Sequence, residues 1–78
     1  MAQVLSPVPG TFYTQASPEE PVYKTEGDAV AIGDTVGLIE VMKTFIDVKA
    51  ETAGTFAGYL AENGGAVTAG QPLADLEG

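Results

Sequence analysis

The chain repeats itself, and that repeat constrains the fold more than any other feature. The 13 residues from Asp28 to Glu40 can be laid on the 13 from Gly65 to Glu77, a spacing of 37 positions. Ala29, Val30, Gly33 and Glu40 coincide with Ala66, Val67, Gly70 and Glu77, while Val36/Leu73 and Ile39/Leu76 match in kind. Earlier in each half, Gly10-Thr11-Phe12 recurs as Gly54-Thr55-Phe56 at a spacing of 44, and Val4 meets Val48 at the same spacing. Two colinear blocks in the same order point to a duplicated unit. The spacings differ by seven, so the first half carries about seven extra residues between Phe12 and Asp28.

Each unit reads as β-structure. Gly and Pro punctuate the chain every eight to ten residues, and the segments between are rich in Val, Ile, Thr, Phe and Tyr. No stretch sustains a helical period with caps. The pattern predicts strands over Gln3–Leu5, Thr11–Tyr13, Val22–Lys24, Val36–Val41, Thr44–Lys49, Thr55–Leu60 and Leu73–Leu76. Turn signals fall at Gly33-Asp34, Asn63-Gly64-Gly65 and Gly70-Gln71. Two similar β units packed face to face about an approximate twofold axis follow, in one domain spanning residues 1–78. At this length the core lies near the lower limit for independent stability.

The run from Val36 to Val48 is about twice the usual strand length and must reverse somewhere. The natural break is Met42-Lys43, yet no Gly, Asn, Asp or Pro marks a turn there. A local rule that fails is expected where function is placed. Lys43 also lies at the joint between the halves, because its counterpart 37 positions on would fall beyond the last residue. The other joint is then where the chain's two ends meet, at the opposite pole. The extra residues fall around Gln15–Val22, where two prolines and two acids predict a stiff exposed protrusion.

Composition limits the chemistry. The chain has no cysteine, histidine or arginine, which removes thiolate metal sites, the usual general base and the bidentate anion clamp. The 11 carboxylates are scattered without an acid/base or metal spacing, and Ser6 and Ser17 have no histidine to activate them. A net charge of −8 argues against nucleic-acid or anionic-membrane binding. Met1-Ala2-Gln3 carries neither the basic region nor the apolar core of an export signal, so a soluble cytoplasmic protein is expected. Of the three lysines, Lys24 and Lys49 read as surface charges flanked by acids. Lys43 stands apart, between Met42 and apolar segments; on residues alone it is either an ordinary exposed hairpin lysine or a site of modification. A lysine amine with a pKa near 10.4 is a poor nucleophile at neutral pH, so any acylation must be performed by a partner.

Glu40-Val41-Met42-Lys43-Thr44 resembles the Glu-Ala-Met-Lys-Met motif of biotin carboxyl carrier proteins. Ser6-Pro7-Val8-Pro9-Gly10-Thr11-Phe12-Tyr13 resembles the opening strand of the carrier subunit of bacterial acetyl-CoA carboxylase, and the match continues through Val30–Thr35, Gly54-Thr55-Phe56 and Gln71-Pro72-Leu73. Related lipoyl domains usually place Asp-Lys at the tip, so Met42 favours biotin over lipoate.

The resemblance implies the biotinyl/lipoyl hammerhead: an all-β flattened barrel or sandwich of two four-stranded antiparallel sheets with pseudo-twofold symmetry. It implies that a biotin protein ligase joins biotin to Lys43 through an amide and reads Met42 and its neighbours Glu40, Val41 and Thr44. It further implies a non-catalytic carrier that meets biotin carboxylase and carboxyltransferase in turn, with neither nucleic acid nor membrane as partner. Residues 15–22 fall where such carriers bear a thumb that contacts biotin, and Ser17-Pro18 matches the thumb's Ser-Pro. Gln15 stands where relatives carry a threonine that meets biotin. Val41, Thr44 and Ile46 depart from the usual Ala, Met and Asn.

Overall fold

The computed structural model describes residues 2–77 and, among them, contains eight strands and no helix. In chain order these are β1 (Ala2–Leu5), β2 (Gly10–Tyr13), β3 (Ala29–Val30), β4 (Thr35–Val41), β5 (Thr44–Lys49), β6 (Gly54–Tyr59), β7 (Gly65–Val67) and β8 (Pro72–Glu77). They form two four-stranded antiparallel sheets, ordered β1-β8-β6-β3 and β5-β4-β2-β7. Exchanging β1 with β5, β2 with β6, β3 with β7 and β4 with β8 converts one order into the other. The twofold inferred from the repeat is therefore the symmetry of the fold.

The symmetry holds at the level of register. Val4 faces Ala74 as Val48 faces Gly37, and Phe12 faces Ile39 as Phe56 faces Leu76. A bulge at Val36 in β4 has its counterpart at Leu73 in β8. The turns before β4 and β8 are closed alike: Asp34 Oδ2 accepts from the Ala31 N–H at 2.9 Å, and Gln71 Oε1 from the Thr68 N–H at 3.1 Å. One bulge breaks the symmetry. Beyond Phe56, Gly58 takes φ 143° and pairs with Asp75, which inserts a residue that β2 lacks.

Two expectations fail. Val22–Lys24 is not a strand; only Val22 pairs, in an isolated bridge to Gln15. The prolines at positions 18 and 21 have no N–H to give a ladder, and the segment folds as part of the protrusion. Strands β3 and β7 were not foreseen, because two or three residues are too few to show a period of two.

The core lies between the sheets. Phe12, Val36, Ile39, Val48, Phe56, Leu73 and Leu76 are fully buried there. Gly37 in β4 leaves room for the Phe12 ring on the neighbouring strand β2, since a Cβ at that position would lie on that ring and 2.9 Å from the Tyr13 carbonyl oxygen. Tyr59 packs on both symmetry-related aromatics, 5.9 Å from Phe12 and 4.7 Å from Phe56 between ring centroids. Its hydroxyl donates to the Val36 carbonyl at 2.7 Å, which serves the backbone oxygen of the bulged residue.

Strands β4 and β5 are joined by the two residues Met42 and Lys43, with φ 50° and 67°. Positive φ at both central residues is the primed turn whose twist matches an antiparallel pair. Residues with a Cβ enter that region at a cost of roughly 1–2 kcal/mol each. Here the ladder from Thr35↔Lys49 to Val41↔Thr44 imposes it. Val41 at the stem packs against the core, whereas Met42 is 93% exposed.

Two outcomes follow. Burial above all, with a smaller contribution from the neighbouring Tyr23, pushes the Tyr59 phenol up to about 12 from 10.0. A raised folded-state pKa contributes its stability in full below pH 10 and loses it as pH rises through about 12. Tyr59→Phe is expected to cost about 1–2 kcal/mol at pH 8, and urea unfolding should show that difference shrinking toward pH 12. A difference that does not change with pH contradicts the assignment. For the turn, replacing Met42-Lys43 by Asn-Gly is expected to raise stability by about 1–2 kcal/mol. A lower urea midpoint would show that the hairpin is not strained.

Candidate functional site

Alternation along the strands turns Phe12, Ile39 and Val48 inward and Tyr13, Leu38, Glu40 and Phe45 to the outer face of the β5-β4-β2-β7 sheet. In the other sheet the positions equivalent to Tyr13 and Leu38 are Gly58 and Asp75. One outer face is therefore small and polar, while its duplicate carries an aromatic and an aliphatic side chain. Leu38 is 9% exposed although it lies outside the inter-sheet core. The duplication acts as an internal reference, and the apolar face is the one that departs from it.

The protrusion rises beside this face. Its base is closed by the Gln15↔Val22 bridge and by the Tyr23 N–H donating to the Thr14 carbonyl at 2.9 Å. Its tip is a turn at Ser17-Pro18-Glu19-Glu20, in which the Glu20 N–H donates to Ser17 O at 3.1 Å. Lys24 ties the base down, donating to Asp34 Oδ2 and to Ala29 O, each at 3.2 Å. Its side chain is 18% exposed, so Lys24 is an anchor for the loop and not the free surface charge expected. The Ala31 N–H and then the Lys24 ammonium hold the Asp34 carboxyl below its usual range.

Between protrusion and sheet runs a groove of about 460 Å³ lined by Tyr13, Gln15, Ala16, Ser17, Pro18, Phe45 and Asn63. Tyr13 and Phe45 form its floor, with ring centroids 6.4 Å apart. The Tyr13 hydroxyl donates to Glu40 Oε1 at 3.0 Å, and that bond above all raises the phenol's pKa. The hydroxyl thus stays a donor at neutral pH. Glu40 is thereby fixed directly across the hairpin stem from Phe45.

Of the residues singled out in the sequence, Gln15, Ser17 and Pro18 come together in this groove. Met42 and Lys43 stand at the turn, Lys43 two residues before Phe45, and Thr44 is exposed beside them. Val41 instead packs on the core, and Glu40 is held by Tyr13. Sequence reasoning missed Tyr13, Phe45 and Asn63. A signal existed for the first two: strand alternation places each opposite a core residue, on the outer face, where a large aromatic has no structural reason to be. None marked Asn63. Among the described residues no group of three or more His, Cys, Asp or Glu is placed to hold a metal ion.

Residues 2–76 match the family model described as biotin-requiring enzyme. The biotin carboxyl carrier protein of acetyl-CoA carboxylase from Nostoc sp. is 40% identical over 73 residues, 94% of this chain and 40% of that protein. Its namesake from Pseudomonas aeruginosa is 41% identical over 70 residues, 90% of this chain and 45% of that protein. This chain thus spans less than half the length of these relatives. Among solved structures, Kluyveromyces lactis urea carboxylase matches with a TM-score of 0.74 and 33% identity, covering 94% of this chain and 6% of that one. A duplicated β unit with a lysine-bearing hairpin at its joint, and these likenesses over nearly its whole length, show that the chain belongs to the biotin/lipoyl family of biotin-requiring enzymes.

Proposed function

We propose that residues 1–78 form one biotinyl domain that carries biotin as an amide on Lys43 and has no catalytic activity alone. One observation carries this reading: Lys43 follows the 93% exposed Met42 on a two-residue turn with both φ positive, at the end of a paired strand ladder. No loop mobility is needed to present it. The family match and the named carriers support biotin as the group attached.

With no histidine in the chain, deprotonation of the amine falls to a biotin protein ligase. Lys43 Nζ attacks the activated biotin acyl carbon, the amide C–N bond forms and the activating group leaves. Met42 is the side chain the ligase reads, supported by Glu40, Val41 and Thr44, which fix the stem. Once attached, biotin supplies the carboxyl-carrying ureido nitrogen, and the chain's own residues present and shelter it. Residues 15–22 would act as a thumb, and the groove lined by Gln15, Ser17, Pro18, Tyr13 and Phe45 would shelter the ring system. The partners are biotin carboxylase, which uses ATP and bicarbonate, and a carboxyltransferase with an acyl-CoA acceptor such as acetyl-CoA. The same reading places the work in the cytoplasm, away from nucleic acid and membrane. Among the described residues no helix is long and apolar enough to cross a membrane.

Incubation with biotin, ATP and a biotin protein ligase should add one biotin-sized mass and confer streptavidin binding, both lost in Lys43→Arg. A gain that survives Lys43→Arg refutes the attachment site, and a gain only with lipoate and its ligase refutes the cofactor. Met42→Asp should slow biotinylation while circular dichroism is unchanged, because the side chain lies in solvent. Loss of fold in that variant would show Met42 to be structural.

A further inference from the structure

The duplication also compares the two ends of the barrel. At the start of β8, Leu5 faces Pro72; the equivalent pair at the start of β4 is Lys49 facing Thr35. One place thus presents a leucine and a proline where its duplicate presents a lysine and a threonine. Val4 is buried in the core, so alternation turns Leu5 to the outer face of the β1-β8-β6-β3 sheet, where it is half exposed. On the other side of β8, the Leu60 N–H donates to the Leu73 carbonyl at 2.8 Å, and Leu60 is also half exposed. Leu5 and Leu60 therefore flank the first residues of β8.

This apolar row lies toward the end of the barrel that carries Lys43. Strand β2 starts against the hairpin stem: Thr11 faces Glu40, and a Cβ on Gly10 would lie 2.5 Å from the Glu40 carbonyl oxygen. Only residues 6–9 separate Leu5 from Gly10, so the two can be no more than roughly 18 Å apart. Lys49, by contrast, ends the β4-β5 ladder farthest from the turn, and Lys24 is bonded to Asp34 just before β4. Lys43 is thus the one lysine at the hairpin end of that ladder, with Glu40 in its stem and Glu62 two residues beyond Leu60.

We infer that Leu5, Pro72 and Leu60 form a docking surface for the biotin protein ligase, which meets them with an apolar patch bordered by basic groups while it works on Lys43. The inference rests on the reading that Lys43 is the biotin acceptor. A standard interface covers about 800 Å² per partner, a patch on the order of 30 Å across, wide enough to take in the hairpin and this row together. The exposed Met42 adds apolar surface at the tip of the same end. A second copy of the chain fits the row less well, because each copy carries a net charge of −8 and like charges oppose the approach.

The test is the steady-state kinetics of ligase-catalysed biotin transfer to the full chain. Leu5→Gln and Leu60→Gln should each raise KM for the chain roughly three- to tenfold, the effect of withdrawing one half-exposed leucine from an apolar contact. The kcat should not change, because neither residue touches the reacting amine. A polar residue at position 5 suits the fold, since Lys49 occupies the equivalent place, and circular dichroism of each variant should match the unaltered chain. The conservative Leu5→Met should keep KM within about twofold. Ile32→Gln removes an exposed apolar side chain from the turn before β4 and should leave both constants alone. An unchanged KM in either leucine variant, or an equal rise in Ile32→Gln, overturns the inference and leaves attachment intact. Dimerisation that Leu5→Gln abolishes, with KM unmoved, also overturns it and assigns the row to a second copy. Absence of biotin from Lys43 in the unaltered chain overturns both readings.

Discussion

A two-residue reversal between antiparallel strands admits few backbone conformations, and the one adopted at Met42-Lys43 requires positive φ at both positions. Neither residue is suited to it. The conformation persists because β4 and β5 are paired along their length and Val41, at the stem, is packed on the core. The side chains that result from this arrangement are solvent-facing on a rigid stalk. A glycine turn would be easier to form but would offer no amine. The reversal therefore explains both why the rest of the chain is a well-packed barrel and why its tip violates the usual turn composition.

The barrel supplies that rigidity by duplication. Equivalent strands, registers, bulges and turns recur across the twofold, so the hairpin at one joint mirrors the meeting of β1 and β8 at the other. Tyr59 binds the two halves by touching both Phe12 and Phe56 and bonding to the bulge at Val36. Function then enters as asymmetry. The first half alone carries the 15–22 protrusion, and its outer face carries Tyr13 and Leu38 where the second has Gly58 and Asp75. Tyr13 and the protrusion meet in one groove, which is also lined by Phe45, two residues along the chain from Lys43.

Much of this was legible in the sequence. Glycine and valine positions that recur at spacings of 37 and 44 forecast the twofold, and the difference between the spacings located the protrusion. The absence of any turn former drew attention to Met42-Lys43, while the residues alone left Lys43 open between an ordinary hairpin lysine and a modification site until the resemblance singled it out. Other features were hidden for physical reasons. Strands β3 and β7 are too short to show periodicity, and Val22–Lys24 has strand composition that its flanking prolines override. The anchoring of Lys24 by Asp34 depends on a turn closing between them. Asn63 reads as a turn residue, and its bond to Thr14, 49 positions away, exists only in three dimensions.

The central claim is that the folded hairpin, and not the local sequence around Lys43, makes this lysine an acceptor. The direct measurement is the rate of ligase-catalysed biotin transfer to the intact domain compared with a linear peptide covering residues 36–48. The intact domain should be modified faster by at least an order of magnitude, because the free peptide must first fix two positive-φ residues at roughly 1–2 kcal/mol each. Equal rates for the two substrates would contradict the account.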